Sequence, residues 1–421
     1  MPVSVISELR MRPAAATREM TWNPGVTARL VITVVVSFML LVGANLATPL
    51  YPHLQTELNL GPMGTTIAFS SYVCSLMVFL LAVGHWSDHI GRRAALVLAV
   101  LVSMAGTFVF AYASDLTELC IGRGLQGAGV ALATGATAAA LRELLPTKPA
   151  WASRFTLLAS SGGVAFGPFF GGLLAALPGG RTTVFMTQLV LLLIVLIPLG
   201  TLQARPAIGI PSAGQRTKAL APRRIGIPRE ARLHFWMAAL VGFLSFAVFG
   251  FVLSLAPGYM ANAFDLDALW AIGLIAGLPL GVSALSQVVV RGGNYLLPLG
   301  LILLGAGTVS LSFSATQGSL PVAVASLAIL GLGQGIAFRT AFALCVDAVS
   351  TELHAQTVSA IYLVTYLGSA VPVIALGWAV GRFGEAPSIF VFSILCALAG
   401  ALLASWAIFW LKQSRHFLRV E

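Results

Sequence analysis

The chain has 421 residues, of which 58% are hydrophobic and only 9% are charged, and its mean hydropathy is +0.93. A soluble domain carries charges on about a quarter of its residues, because these cover its surface. The shortage of charge therefore excludes a soluble protein and predicts a chain that crosses a membrane several times.

The apolar segments predict an all-α membrane protein with twelve transmembrane helices in two pseudo-symmetric bundles of six. The predicted spans cover residues 30–52, 65–85, 94–114, 117–141, 153–177, 182–203, 233–256, 268–290, 295–313, 319–345, 356–380 and 388–411. The predicted organisation is a tail (1–28), an N-terminal bundle (29–203), a linker (204–232), a C-terminal bundle (233–411) and a second tail (412–421). The linker holds four prolines and seven basic residues, which favours a solvated connection.

The distribution of charge predicts the topology. The net charge is +10, and most of the 24 basic residues fall in the two tails, the linker and the loops on one side of the predicted membrane. By the positive-inside rule both termini are cytoplasmic, and the basic balance requires no nucleic-acid partner. We expect a multi-pass protein of the cell inner membrane that acts as a monomer in the lipid bilayer.

Motifs of metal, nucleotide or enzyme chemistry are missing from the sequence. The four cysteines stand singly, no lysine belongs to a phosphate-binding loop, and the six histidines lie in loops or at the ends of spans. We therefore expect no cofactor, no metal site and no enzymatic activity.

The loop between the second and third spans reads Gly84-His-Trp-Ser-Asp88-His-Ile-Gly91-Arg92-Arg93. This pattern resembles the signature loop of the major facilitator superfamily. Gly84 would allow close helix contact, Gly91 a tight turn, and the two arginines would hold the loop in the cytoplasm. The resemblance implies that Asp88 faces the N-terminus of the eleventh span and helps to latch the halves together. The simpler alternative is an ordinary cytoplasmic turn with a capping aspartate.

Two further motifs agree with that family. Arg123-Gly-Leu-Gln126-Gly127 in the fourth span resembles its R-x-x-Q-G motif. The fifth span resembles the motif G-x-x-x-G-P-x-x-G-G of the proton-driven antiporter branch, with Gly163, Gly167, Pro168, Gly171 and Gly172 at its fixed positions. Glycines at every fourth residue form a smooth stripe that admits a neighbouring helix, and the proline would bend the helix locally. A generic packing face of small residues would look the same.

The two halves also resemble each other. Gln126-Gly127 recurs as Gln334-Gly335, 208 positions later, and Gly163 recurs as Gly368 at a similar offset. Two six-span repeats around a central substrate path describe a large class of secondary transporters.

The candidate residues for coupling or substrate binding are five polar residues within spans, Asn45, Arg123, Gln126, Gln334 and Arg339, together with Gly127 of the fourth-span motif. Each polar side chain could instead serve a hydrogen bond between helices, and Arg123 could snorkel to the outer headgroups or hold Asp115 or Glu118. No carboxylate lies in the middle of a span, so the residue that carries the proton is not evident. Four phenylalanines in the seventh span favour an apolar or amphipathic cargo, although phenylalanines in a span more often face lipid or pack against other helices than bind a substrate.

These observations predict a secondary transporter that exports a small organic molecule, such as a drug or a secondary metabolite, in exchange for protons. The first alternative is a proton-coupled symporter that takes up a small metabolite. The second is a sensor or assembly factor on the same fold that transports nothing.

Overall fold

A computed structural model describes residues 5–9, 11, 22–203, 220–221, 231–290, 292–293, 295–350 and 353–417. Twelve long helices make up most of these residues: α1 (Val26–Asn45), α2 (Pro62–Val83), α3 (Arg92–Tyr112), α4 (Leu116–Leu144), α5 (Pro149–Ala175), α6 (Gly180–Thr201), α7 (Arg232–Ser254), α8 (Leu269–Val289), α9 (Leu296–Thr316), α10 (Leu320–Asp347), α11 (His354–Phe383) and α12 (Glu385–Phe417). Shorter helical segments are Val5–Leu9, Thr48–Leu50, Tyr51–Glu57, Ser87–Ile90 and Ala256–Ala263.

The all-α fold with twelve spans is confirmed. Each of the twelve helices is long and apolar enough to cross a membrane, and the described residues contain no β-strand beyond one isolated bridge between Trp22 and Leu202. Helices suit a bilayer because they satisfy their own backbone hydrogen bonds. The helices run a few residues beyond several predicted ends, for example to Leu144 in α4 and Phe383 in α11, since backbone hydrogen bonding continues past the apolar core.

The first span differs from its prediction. It covers Val26–Glu57, but the α-helix stops at Asn45 and continues after a 3-10 turn at Thr48–Leu50. Pro49 lies in that turn and has no backbone N–H to donate, which explains why the helix cannot pass straight through. The break lies directly beside Asn45, one of the predicted site residues.

The described chain forms two compact units. The first contains Met1–Ala47, Ser71–Gly167 and Leu177–Arg223, and the second contains Thr48–Ser70, Pro168–Ala176 and Arg224–Glu421. The units differ from the predicted bundles because Thr48–Ser70 and Pro168–Ala176, which include one end of α2 and one end of α5, belong to the second unit. The repeat organisation stays a prediction, and of the predicted linker the structure describes only residues 220–221 and 231–232.

Similar helix contacts recur inside each unit. In the first unit a Cβ atom on Gly127 of α4 would lie 3.2 Å from the Cβ of Ser75 on α2. In the second unit a Cβ on Gly335 of α10 would lie 3.0 Å from the Cα of Ser283 on α8. The two glycines are 208 positions apart in the sequence, and so are the two serines. Residues separated by this offset therefore make the same kind of helix contact.

Candidate functional site

Arg123 lies at the centre of a buried polar cluster in the first unit. Only 2% of the residue is exposed. Its Nη1 donates to the carbonyl oxygen of Ala44 on α1 at 2.6 Å and to Oε1 of Gln126 at 2.9 Å. Its guanidinium lies over the ring of Tyr72 on α2, with Cζ 4.6 Å from the ring centroid. The cation is thus held by dipoles and a π face rather than by an opposite charge.

Two donors in this cluster have no partner among the described residues. They are Nε of Arg123 and Nε2 of Gln126. Buried donors normally have hydrogen-bond partners, so unmatched ones call for an explanation. The unmatched groups are both donors, and therefore the group that would complete the cluster is an acceptor.

The two acids nearest to Arg123 in sequence are occupied elsewhere. Asp115 caps α4 by accepting from the backbone N–H of Glu118 at 2.8 Å. Glu118 accepts from the backbone N–H and the hydroxyl of Ser114 at 2.7 and 2.9 Å. The alternative in which Arg123 holds one of these carboxylates is therefore not what the structure shows.

Three helices meet α1 at residues 43–45, where Ala44 accepts from Arg123. Gly43 faces Gln188 of α6, whose Nε2 would lie 2.6 Å from a Cβ at that glycine. Asn45 faces α5, with its Cβ 2.7 Å from the place of a Cβ on Gly167. The Asn45 amide donates to the carbonyl of Leu41 in its own helix at 2.9 Å.

Gln188 and Tyr72 are site residues that the sequence reading missed. Gln188 is completely buried, donates through Nε2 to the carbonyl of Met39 on α1 at 2.7 Å, and has no described partner for Oε1. A glutamine in the middle of the apolar stretch of α6 is a signal that the sequence does contain. Tyr72 carries no such signal, since tyrosine is common in apolar helices.

The remaining candidates, Gln334 and Arg339, lie in the second unit. Oε1 of Gln334 accepts a short hydrogen bond from the hydroxyl of Ser283 on α8. Arg339 is exposed, donates to the carbonyl of Val290, and lines a cavity of about 180 Å³ together with Asp347. The structure therefore gives these two residues separate environments.

The signature loop is tied together by Arg92. Its Nη1 lies 2.6 Å from Oδ1 of Asp88 and 2.6 Å from the hydroxyl of Ser87, and its Nη2 lies 2.9 Å from Oε1 of Glu143 on α4. Gly91 has φ +91°, a conformation that side chains rarely adopt, which allows the turn between the short helix Ser87–Ile90 and α3. The contact of Asp88 with the eleventh span stays a prediction, while its contact with Arg92 is observed.

Arg93 anchors the N-terminal segment. Its Nη2 forms an ion pair with Oε2 of Glu8 at 2.8 Å, and its Nη1 donates to the carbonyl of Leu202 at 2.6 Å. Both side chains of the pair are less than a tenth exposed. Burial raises the pKa of Glu8 above its ordinary value of 4.5, although hydrogen bonding and the charge of Arg93 act in the opposite direction.

The glycine motif of α5 packs closely against two helices, α1 and α8. A Cβ on Gly163 would lie 2.7 Å from the carbonyl oxygen of Phe38, so this glycine and Gly167 pack directly on α1. In the second unit, Gly172 packs on the backbone of Leu269 and the carbonyl of Pro168 packs on Gly273, both in α8. The close approach expected of the stripe is therefore observed at Gly163 and Gly167, and Gly172 of the same motif makes a further close contact with α8.

Twelve apolar helices with a polar cluster buried among them define a multi-pass membrane protein. A family model described as the Major Facilitator Superfamily matches residues 33–373, and the chain belongs to that family. Members of this family are transporters of small molecules rather than enzymes.

The similar proteins agree with this assignment. Putative multidrug resistance protein MdtD of Citrobacter koseri and of Escherichia fergusonii are each 28% identical to the chain over 138 residues. That match covers 32% of this chain and 29% of each relative, so less than a third of the relatives' length is spanned.

Solved structures match over nearly the whole chain. One is a bacterial homologue of the human lysosomal transporter Spinster in an inward-facing, unoccupied conformation, with a TM-score of 0.73, 14% identity, and coverage of 96% of this chain and 99% of that one. Another is a POT family transporter in complex with 5-aminolevulinic acid, with a TM-score of 0.73, 13% identity, and coverage of 95% and 99%. At these identities the likeness shows the fold alone.

Proposed function

We propose that the chain is a secondary active transporter that exports a small organic molecule, a drug or a secondary metabolite, across the inner membrane in exchange for protons. The observation that carries this proposal is the convergence on residues 43–45 of α1. There the antiporter-type glycine motif of α5 packs beside the carbonyl that holds Arg123. The match to MdtD, which is named a putative multidrug resistance protein, supports export as the direction of transport.

Arg123 supplies the electrostatic basis for coupling. Arg123 lies seven residues, or about 10 Å, inside α4. Insertion scales give a cost of roughly 2.5–3.5 kcal/mol for an arginine at the centre of a membrane span, so a permanent cation embedded in a span needs a function or a partner. Its charge favours any anion that enters the cluster and lowers the pKa of an acid brought close to it. In alternating access, a proton on such an acid and a cargo molecule would then compete for the same electrostatic environment.

The signature loop would control access from the cytoplasm. Asp88, Arg92 and Glu143 form one ionic chain that joins the loop to the end of α4. The positive-inside rule favours cytoplasmic termini, and this row of three ionic residues then lies at the inner ends of α2, α3 and α4. We propose a monomer as the working unit, because each chain contains the complete set of candidate residues.

An uptake symporter is the main rival, and the α5 motif is the feature that argues against it. A transport-inactive sensor is the second rival, which the intact ionic chain of the signature loop disfavours.

The direction of transport tests the proposal. A susceptibility panel on a deletion strain would first identify compounds that the protein exports. We expect such a compound to accumulate in energised inverted membrane vesicles, whose interior is acidic, because protons leaving the vesicle drive the cargo in. Accumulation in right-side-out vesicles would instead indicate a symporter, and accumulation in neither would favour a sensor.

A further inference from the structure

Five aromatic side chains from three helices of the second unit form a closed ring. They are Phe246 of α7, Phe338 and Phe342 of α10, and Tyr362 and Tyr366 of α11. Each contacts two others, with ring centroids between 5.5 and 5.9 Å apart. Tyr362 and Tyr366 are stacked, with an interplanar angle of 25°. We call this group the aromatic pentagon.

The aromatic pentagon lies well inside the membrane-spanning segments. Phe342 is five residues from the end of α10, or about 8 Å, and Phe246 is fourteen residues from the start of α7, or about 21 Å. The pairs on α10 and α11 are each spaced by four residues, which places their members on one face of the helix. The pentagon therefore extends along the helices and does not mark an interfacial belt.

All five side chains are only half-buried. Of the most apolar stretch of α7, 83% is buried, against 39% for α12 and 28% for α6. A helix so enclosed by protein does not belong to the lipid-facing rim, so the open face at Phe246 belongs to the interior of the protein.

The packing of the fold does not require aromatic residues at these places. The offset of 208 that relates Gln126 to Gln334 relates the α10 positions to α4, and the offset of 205 that relates Gly163 to Gly368 relates the α11 positions to α5. The corresponding residues in the N-terminal half are Val130, Thr134, Leu157 and Ser161. The corresponding positions therefore hold small or aliphatic residues, and the pentagon is particular to the C-terminal half.

The pentagon offers flat π surfaces and carries no charge. The nearest cation in sequence, Arg339, donates to the carbonyl of Val290, the residue that follows α8. Aromatic faces favour offset stacking with another flat ring, and this geometry distinguishes planar from bulky apolar molecules. We propose that the aromatic pentagon binds a planar aromatic group of the transported molecule, an inference that rests on the proposed transport function.

The test is a binding measurement with two probes of equal charge and different shape. Ethidium is a planar aromatic cation, whereas the rings of tetraphenylphosphonium are not coplanar. Binding to the purified full chain in lipid nanodiscs, without a proton gradient, would be followed by ethidium fluorescence and by displacement with tetraphenylphosphonium. We expect wild type to prefer ethidium, and Tyr362→Leu or Phe342→Leu to weaken ethidium binding about tenfold with little effect on tetraphenylphosphonium.

Matched variants separate stacking from damage to the fold. Tyr362→Phe keeps the ring and should bind ethidium like wild type. Phe390→Leu removes a ring from the separate pair Phe313–Phe390, whose centroids are 5.4 Å apart, and should also leave binding unchanged. Equal binding of both probes by wild type, or equal weakening of both by the leucine variants, would overturn the inference. Either result would leave proton-driven export untouched, since that is measured by transport in vesicles.

Discussion

Arg123 carries a positive charge that is solvated by the protein rather than neutralised by it. A carbonyl, an amide oxygen and a tyrosine face surround it, and the described residues include no carboxylate in contact with it. A buried charge held this way responds strongly to any new charge nearby, because the low dielectric screens little. The residue is therefore suited to sense whether an acceptor or an acid is present in the cluster.

Glu8 presents the opposite case, a buried acid that is paired. Because burial raises its pKa, the docked N-terminal segment binds a proton more readily than the free segment does. Docking is then fully favoured below the ordinary pKa of about 4.5 and weakens as the pH rises through the raised pKa. The ion pair with Arg93 reduces this effect but does not reverse it.

We predict a pH-dependent mobility of the segment Val5–Leu9. A nitroxide on Val5→Cys, in a background free of the four native cysteines, should be more immobilised at about pH 5 than at about pH 8. Glu8→Gln should remove this difference, since the glutamine does not titrate. Greater immobilisation at the higher pH would mean that the ion pair outweighs burial.

At the scale of elements, the contact between α1 and α5 determines how closely the helices carrying the site approach. A Cβ on Gly167 would lie 2.7 Å from the Cβ of Asn45 and 2.8 Å from the carbonyl oxygen of Val42. Both distances are below 3.0 Å, which is shorter than the contacts that Cβ atoms make in proteins, so any side chain at this position forces the helices apart. Overpacking of this kind costs about 1–3 kcal/mol.

Gly167→Leu should consequently reduce transport, or make the membrane leaky to protons, while the protein still inserts. Gly167→Ala should have the same kind of effect but a smaller one. Gly281→Leu in α8 is the matched control, because no atom lies within 4 Å of its Cβ position. Transport and passive proton leak would be compared at equal membrane abundance. If the leucine variant behaves like wild type, the packing argument is wrong.

The sequence predicted elements better than it predicted contacts. Twelve spans follow from apolar length alone, and the glycine stripe of α5 was visible because small residues recur every four positions. The break after Asn45 was not predicted, since Pro49 lies where an uninterrupted apolar run was expected to continue. The partners of Arg123 could not be predicted either, because a backbone carbonyl such as that of Ala44 carries no signature in a sequence.

At the scale of the whole molecule, the two halves share packing but differ in chemistry. Gly331 occupies the position in α10 that corresponds to Arg123, and it packs closely on Pro279 of α8. The embedded cation belongs to the N-terminal half, and the aromatic pentagon to the C-terminal half. The proposed function therefore rests on residues that are not repeated between the two halves.

The central claim is that cargo and protons move in opposite directions through a path that depends on Arg123. Its most direct test is the pH inside proteoliposomes when an exported compound is added outside. We predict that the interior becomes alkaline with wild type, responds partly with Arg123→Lys, which keeps the charge but loses the planar fork, and does not respond with Arg123→Ala. Arg154→Ala, at an exposed arginine stacked on Trp151, is the control and should respond like wild type. An interior that acidifies would indicate symport, and an unchanged response in Arg123→Ala would contradict the role given to this residue.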